Sequence, residues 1–320
     1  MLAGPSLQLF LIILGTDPGE NLIREPLDNA QCGLVPGTHM LARQLPSGPS
    51  SSIRTRMIVG GSEAQPGAWP WQIAVLDRKK RLICGGTLIT SEFVLTAAHC
   101  VTANMNIVAG EYNLADKESE DRQERKVARA FKHPQYNKNN VDNDIAVLKL
   151  EQPLQFNHRV WPACLPQQGE ELESNVNATI LGWGATRYLR QPDGKPQVER
   201  DDMLHEARVP TVDFAECKFS YGDDLESHHV ICAGYKEGRI DSCAGDSGGP
   251  LLVERQGRWH VYGVTSFGDE CGKEGKYGIY SKTSAYVNWV KKIVNKHTTI
   301  TTSRQSIAPT LTVPVGANPP

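Results

Sequence analysis

Residues 243–250 read Cys243-Ala244-Gly245-Asp246-Ser247-Gly248-Gly249-Pro250, a serine set between glycines that leave its hydroxyl unobstructed. Two further stretches lie upstream, Thr96-Ala97-Ala98-His99-Cys100 and Asn143-Asp144-Ile145-Ala146. Ser247, His99 and Asp144 supply a nucleophile, a base and a carboxylate to orient the base. A serine hydroxyl alone is a weak nucleophile, and an imidazole that titrates near neutrality is the side chain suited to take its proton. The order of the three matters. Gly245-Asp246-Ser247-Gly248-Gly249 also fits the G-x-S-x-G turn of α/β-hydrolases, in which acid and base follow the serine. Asp269 and His297 do follow Ser247, but only 73 residues remain after it, and the last 23 show no periodicity. The upstream sequence also lacks the alternation of strands and helices that such a fold requires.

Outward from these motifs the chain has the texture of a β-protein. Short β-rich runs recur at residues 71–76, 87–89, 93–95, 145–148, 178–181 and 261–264, punctuated by Gly, Pro, Asn and Asp. This pattern predicts an all-β sandwich or barrel. Helical periodicity waits until residues 284–294, where Tyr286, Val290, Ile293 and Val294 share one face.

The 320 residues are 39% hydrophobic and 22% charged, enough apolar material for one large domain or two small ones. A formal net charge of -2 gives no basic face for nucleic acid or for an anionic membrane surface. None of the eight cysteines forms a C-x-x-C pair, so disulfides are expected rather than zinc, and with them an oxidising compartment. Residues 7–14 are an apolar run too short to span a bilayer and suited to a signal h-region. No Lys or Arg precedes that run and no A-x-A site follows it. Residues 1–15 therefore read as a signal peptide, and the protein is expected to be secreted and extracellular. Residues 16–57 read as a pro-segment that contains Cys32, a Pro/Ser-rich linker over 45–52 and the basic Arg54-Thr55-Arg56, a composition open to processing. Residues 298–320, rich in Thr, Ser and Pro, read as a disordered tail. Asn177-Ala178-Thr179 is an N-glycosylation sequon.

In order along the chain stand Ile58-Val59-Gly60-Gly61, Ala68-Trp69-Pro70-Trp71-Gln72, the His99 and Asp144 motifs, Gly182-Trp183-Gly184, the Ser247 segment and Ser266-Phe267-Gly268. Over residues 58–297 this series resembles the trypsin/chymotrypsin-like serine proteases. The general triad scheme is itself drawn from that family, so the roles assigned on it are inherited. The resemblance implies two six-stranded antiparallel β-barrels with a C-terminal helix and a site in the cleft between them. It implies a secreted serine endopeptidase, made as a zymogen, that works through an acyl-enzyme. Asp144 would fix the His99 tautomer, and Asp142, two residues away, is expected to be solvated at the cleft edge. The N–H groups of Gly245 and Ser247 would form an oxyanion hole, each donor worth about 3 kcal/mol in the transition state. Asp241 would floor the specificity pocket, with Ser242, Ser266, Gly268 and Gly278 around it, which implies cleavage after Arg or Lys. The partners implied are peptide or protein substrates, an activating protease and protein inhibitors, with no nucleic acid or membrane. The role implied is limited extracellular proteolysis. Digestive or venom use is the alternative, and so is a binding protein on the same fold; retention of all three triad side chains weighs against the last.

The same resemblance pairs Cys84 with Cys100, Cys217 with Cys232, and Cys243 with Cys271, closing loops worth roughly 3 kcal/mol each in the chain-entropy model. Cys32 would pair with Cys164 and tether the pro-segment after cleavage. A further bridge common in the family is absent in both halves, with Ala178 and Val253 in its place. Activation would free the amino group of Ile58 to pair with Asp246. Met57, not Arg, precedes Ile58, so the cut is expected after Met57, or after Arg56 with later trimming. No cofactor is required by this chemistry. Glu111, Glu118 and Asp121 resemble a Ca²⁺ loop, although Arg122, Arg125 and Lys126 crowd it. Tyr277 stands where relatives with a Na⁺-binding loop carry tyrosine. Residues 187–200 read as a long exposed loop open to self-cleavage.

Overall fold

The computed structural model describes residues 31–36, 61–184, 187–190, 196–199, 201–222, 225, 229–238, 245–268 and 272–298. A two-residue strand, β1 (Ser62–Glu63), leads into the first barrel. Its strands are β2 (Gln72–Leu76), β3 (Leu82–Thr90), β4 (Phe93–Thr96), β5 (Asn106–Ala109), β6 (Gln123–Lys132) and β7 (Ala146–Leu150). They close antiparallel in the order β2-β3-β4-β7-β6-β5. Closure removes the unpaired strand edges that an open sheet would present. Ile73, Leu88, Phe93, Leu95, Ile107 and Leu148 fill the interior and are all fully buried. The long β6 instead turns Lys126, Arg129 and Lys132 to solvent.

The second barrel begins with β8 (Asn177–Gly182). After it comes an antiparallel hairpin of β9 (Arg187–Arg190) and β10 (Pro196–Glu199), so the stretch expected to be a plain loop carries regular pairing. Then follow β11 (His205–Val212), helix α1 (Phe214–Tyr221), β12 (Val230–Ala233), β13 (Pro250–Arg255), β14 (Arg258–Phe267), β15 (Gly278–Lys282) and helix α2 (Thr283–His297). β11 pairs with both β8 and β12, which closes the ring β8-β11-β12-β15-β14-β13, while β1 adds to the outside of β11. The expected pair of six-stranded barrels with a C-terminal helix is therefore the fold observed.

α2 extends the predicted helix by one residue at its start and three at its end, and it buries Tyr286, Val287, Val290, Ile293 and Val294. Lys296 and His297 in its last turn suit the negative end of the helix dipole. α1 was not legible from periodicity. Its first turn is capped by Asp213, whose carboxylate accepts the Ala215 N–H. The Cys217–Cys232 disulfide ties it to β12.

Cys84 is bonded to Cys100, and Cys32 to Cys164. The short segment around Cys32 is also held by backbone hydrogen bonds. Gly33 N–H donates to Pro162 O at 2.8 Å, and Trp259 N–H donates to Gly33 O at 3.0 Å. Gly33 has φ +68°, and a Cβ there would overlap the Trp259 backbone, so glycine is required by both conformation and space. Ala178 and Val253 are buried in one apolar cluster with Ile180, Leu251 and Tyr262. Apolar contact thus occupies the place of the absent bridge. Cys243 and Cys271 lie outside the described residues.

Candidate active site

Asp144 stands just before β7, at the end of a turn in which Val141 has φ +58° and Asn143 φ +52°. Its side chain is 0% exposed. Oδ1 accepts the His99 backbone N–H at 2.9 Å, and Oδ2 lies 2.6 Å from His99 Nδ1. Oδ2 also accepts the Ser266 hydroxyl at 2.5 Å. The Asp144 carbonyl accepts the Ser281 hydroxyl at 2.7 Å. Two of these contacts come from the first barrel, and two from β14 and β15 of the second. An ionised carboxylate is acceptor-only, so Nδ1 is the nitrogen that donates to it, and in the neutral imidazole Nε2 is then the acceptor. Ala97 and Ala98 before His99 are buried, and Cys100 after it is pinned by its disulfide, which fixes the backbone that carries the ring. The His99 side chain stays 30% exposed, and its Nε2 lies 3.6 Å from Cys100 Sγ.

Ser247 is placed by a turn that only glycines permit. Gly245 has φ +109° and Gly248 φ +79°. A Cβ on Gly248 would overlap the Thr96 hydroxyl and the Gly85 carbonyl. Gly85 N–H donates to Ser247 O at 2.8 Å, and Gly248 N–H donates to Thr265 O at 2.7 Å. The turn is thus fastened to β3 of one barrel and β14 of the other. Asp246 is 2% exposed, and its Oδ1 accepts the Gly184 N–H at 2.8 Å. Its carboxylate fills the space over Gly182 and Gly184, where any side chain would collide with it. That is the physical content of the Gly182-Trp183-Gly184 motif. Among the described residues no hydrogen bond joins the Ser247 hydroxyl to His99; contacts of this kind tighten when substrate is present.

A family model described as Trypsin matches residues 58–290. The chain belongs to the trypsin family. The family is one of serine proteases, although some of its members are non-catalytic, and this chain carries the family's fold over most of its length.

The structure brings His99, Asp144 and the Ser247 turn to the meeting of the two barrels. The Ser266 hydroxyl is donated to Asp144, a contact that the sequence reading did not include. Gly278 opens β15 opposite Ala233, and Gly268 follows β14. Asn177 is exposed at the start of β8. Asp241, Ser242, Met57 and Ile58 lie outside the described residues. Ser281 was missed by sequence reasoning, and nothing local marks it. Asp142, expected to be solvated, keeps 23% of its side chain exposed and is also held by its neighbours. Its Oδ1 accepts the Asn143 N–H at 2.9 Å, its Oδ2 accepts the Asn143 amide at 2.9 Å, and His229 Nδ1 lies 3.2 Å from Oδ1.

Two of the three carboxylates read as a trypsin-family Ca²⁺ loop, Glu111 and Asp121, are paired with arginines, and Glu118 is exposed. Glu111 Oε2 pairs with Arg122 at 3.0 Å, and Glu111 Oε1 accepts the Tyr112 and Asn113 N–H groups. Asp121 pairs with Arg159 at 3.0 Å. Among the described residues the sole His/Cys/acid group with metal-like spacing is Cys84, His99 and Cys100, whose cysteines are joined to each other. Tyr277 is a buried aromatic; its hydroxyl donates to Glu216 Oε1 at 2.6 Å, and burial with that carboxylate pushes its pKa up to about 12.

Burial also raises the pKa of Glu111, while Arg122 opposes the shift. The charged form is therefore penalised above the raised folded pKa, and the penalty is relieved as pH falls through it. Arg122→Met would leave the buried carboxylate uncompensated. It is expected to cost about 3 kcal/mol at mildly alkaline pH, with the deficit shrinking on acidification. Thermal melts across pH check this, and a deficit independent of pH would contradict it.

Proposed function

We propose that the protein is an extracellular serine endopeptidase, made as a zymogen, that cleaves peptide bonds after Arg or Lys. The observation that carries this reading is the buried Asp144 carboxylate holding His99 through both its backbone and its ring. In this reading His99 Nε2 takes the Ser247 proton as Oγ attacks the scissile carbonyl. The oxyanion is met by the N–H groups of Gly245 and Ser247. His99 then returns the proton to the leaving amine, and water repeats the sequence on the acyl-enzyme. Asp144 stays ionised and stabilises the imidazolium.

Asp241 supplies the negative charge that a substrate Arg or Lys would neutralise, and Ser242, Gly268 and Gly278 leave room for its long stem. Activation frees the Ile58 amine to pair with Asp246, and the Cys32–Cys164 bond keeps residues 16–57 attached to the 58–297 peptidase domain. The disulfides favour an oxidising, extracellular setting. The exposed Asn177 suits a glycan. Limited proteolysis of protein substrates, regulated by an activating protease and by protein inhibitors, fits the tethered pro-segment.

Three measurements test the reading. A fluorophosphonate should label Ser247 in the activated protein and leave a Ser247→Ala variant unlabelled; an activated protein that takes no label would mark a non-catalytic member of the family. In a peptide library, Asp241→Ser is expected to lower kcat/KM after Arg and Lys by about a hundredfold, the scale of losing a buried charge partner. Parent cleavage mainly after aromatic residues would refute the role of Asp241. N-terminal sequencing of the active form fixes the cut, and full activity with Met57 still in place would remove the Ile58–Asp246 pair.

A further inference from the structure

The turn that delivers Asp144 is held from outside its own barrel. Val141 and Asn143 both have left-handed φ, an uncommon state for any residue other than glycine and an outlier for a β-branched one. Such turns persist where their surroundings over-determine them. Within the turn, Asn143 is fixed through its amide to Gln135 O at 3.2 Å and to Asp142 Oδ2 at 2.9 Å. From α2, the Tyr286 hydroxyl donates to Asn143 Oδ1 at 3.2 Å. From the turn just before β12, His229 reaches Asp142 Oδ1 with Nδ1 at 3.2 Å. That contact spans 87 residues and joins the second barrel to a turn of the first. The His229 backbone is itself anchored, since its carbonyl accepts the Lys282 N–H at 2.9 Å.

We infer that His229 is a positioning residue for Asp144, acting from the second barrel through Asp142. The inference rests on the triad reading above and deepens it. Asp142 and Asn143 are consecutive, and both Asp142 oxygens are bound to Asn143, so a pull on Asp142 is transmitted to the residue next to Asp144. His133 does not take over the role. Its ring packs edge-on against Tyr286 at 5.1 Å and Trp289 at 5.0 Å. Burial, and then the neighbouring His229, hold the His133 pKa below its ordinary value, against the opposing pull of Asp142.

The test compares the activated parent with His229→Ala and His229→Asn on the best peptide of the library, with active sites counted by fluorophosphonate labelling. Loss of one hydrogen bond that sets the Asp144 geometry is expected to lower kcat about fivefold in His229→Ala, with KM unchanged. Asn carries an amide nitrogen where His carries Nδ1, so His229→Asn is expected to return kcat to within about twofold of the parent. The double variant His229→Ala/Asp142→Ala should be no slower than Asp142→Ala alone, because both remove one contact. Unchanged kcat in His229→Ala, equal losses in the Ala and Asn variants, or additive losses in the double variant overturn the inference while the labelled parent leaves the triad standing. A parent that takes no label overturns the triad and this inference together.

Discussion

Asp144→Asn is expected to lower kcat about 10,000-fold while the protein stays folded, the scale of this lesion in triads of the family from which the general scheme is drawn. The hydrogen bonds around the carboxylate explain why. Oδ1 faces the His99 backbone N–H, a donor that cannot become an acceptor. The asparagine NH₂ must therefore turn to the Oδ2 position, where it meets His99 Nδ1 and the Ser266 hydroxyl. The hydroxyl can rotate and accept. The ring can accept only by moving its proton to Nε2, which then has no lone pair with which to take the Ser247 proton. Ser266→Ala should be far milder, because it removes one donor and leaves the tautomer correct. Steady-state kinetics on labelled active sites check both. A variant Asp144→Asn that kept kcat within about tenfold of the parent would remove Asp144 from its assigned role.

The second large effect is expected from a methyl group. Gly182→Ala would place a Cβ inside the Asp246 carboxylate. Asp246 cannot retreat easily, because it is buried and its Oδ1 already accepts the Gly184 N–H. Its displacement would drag Ser247 and the Gly245 and Ser247 N–H groups out of line. Loss of about 3 kcal/mol in stability and about a hundredfold in kcat is expected, from overpacking and from misplaced oxyanion donors respectively. Gly169→Ala is the control. A methyl at that position would meet nothing within 4 Å and has only the φ +74° strain to bear, so about 1 kcal/mol of stability and no activity should be lost. Melting curves and active-site titration separate the two contributions. Parent-like kcat in Gly182→Ala would show that the Asp246 carboxylate does not hold the Ser247 turn.

What the sequence makes legible is what local pattern encodes. Residues 284–294 carry their own apolar stripe, and α2 lies there. The β-rich runs mark strands of both barrels. The paired loss of a bridge at Ala178 and Val253 also holds, since both residues share one buried cluster. α1 escapes because eight residues with little apolar periodicity are shaped by a cap at Asp213 and a disulfide at Cys217, not by their own pattern. The same limit applies at the site. The local motif selects Asp144 over Asp142, but the partners that give each its work are distant in sequence. Ser281 lies 137 residues from Asp144, and His229 lies 87 from Asp142. Register between strands decides such meetings, and no single segment contains that information. The acidic stretch shows the same limit. Its spacing suits a cation, but Arg122 and Arg159 supply the positive charge.

Asp144 belongs to the first barrel by chain and to the second by half of its hydrogen bonds. His99 comes with one barrel and Ser247 with the other. A chain caught during synthesis with one barrel finished and the other still collapsing would carry a serine without an aligned base. On the proteolytic reading proposed above, such a half-folded molecule would be inert toward its neighbours, so assembly of the two halves would itself be a safeguard for the cell that makes the protein, independent of any cut at the proposed pro-segment.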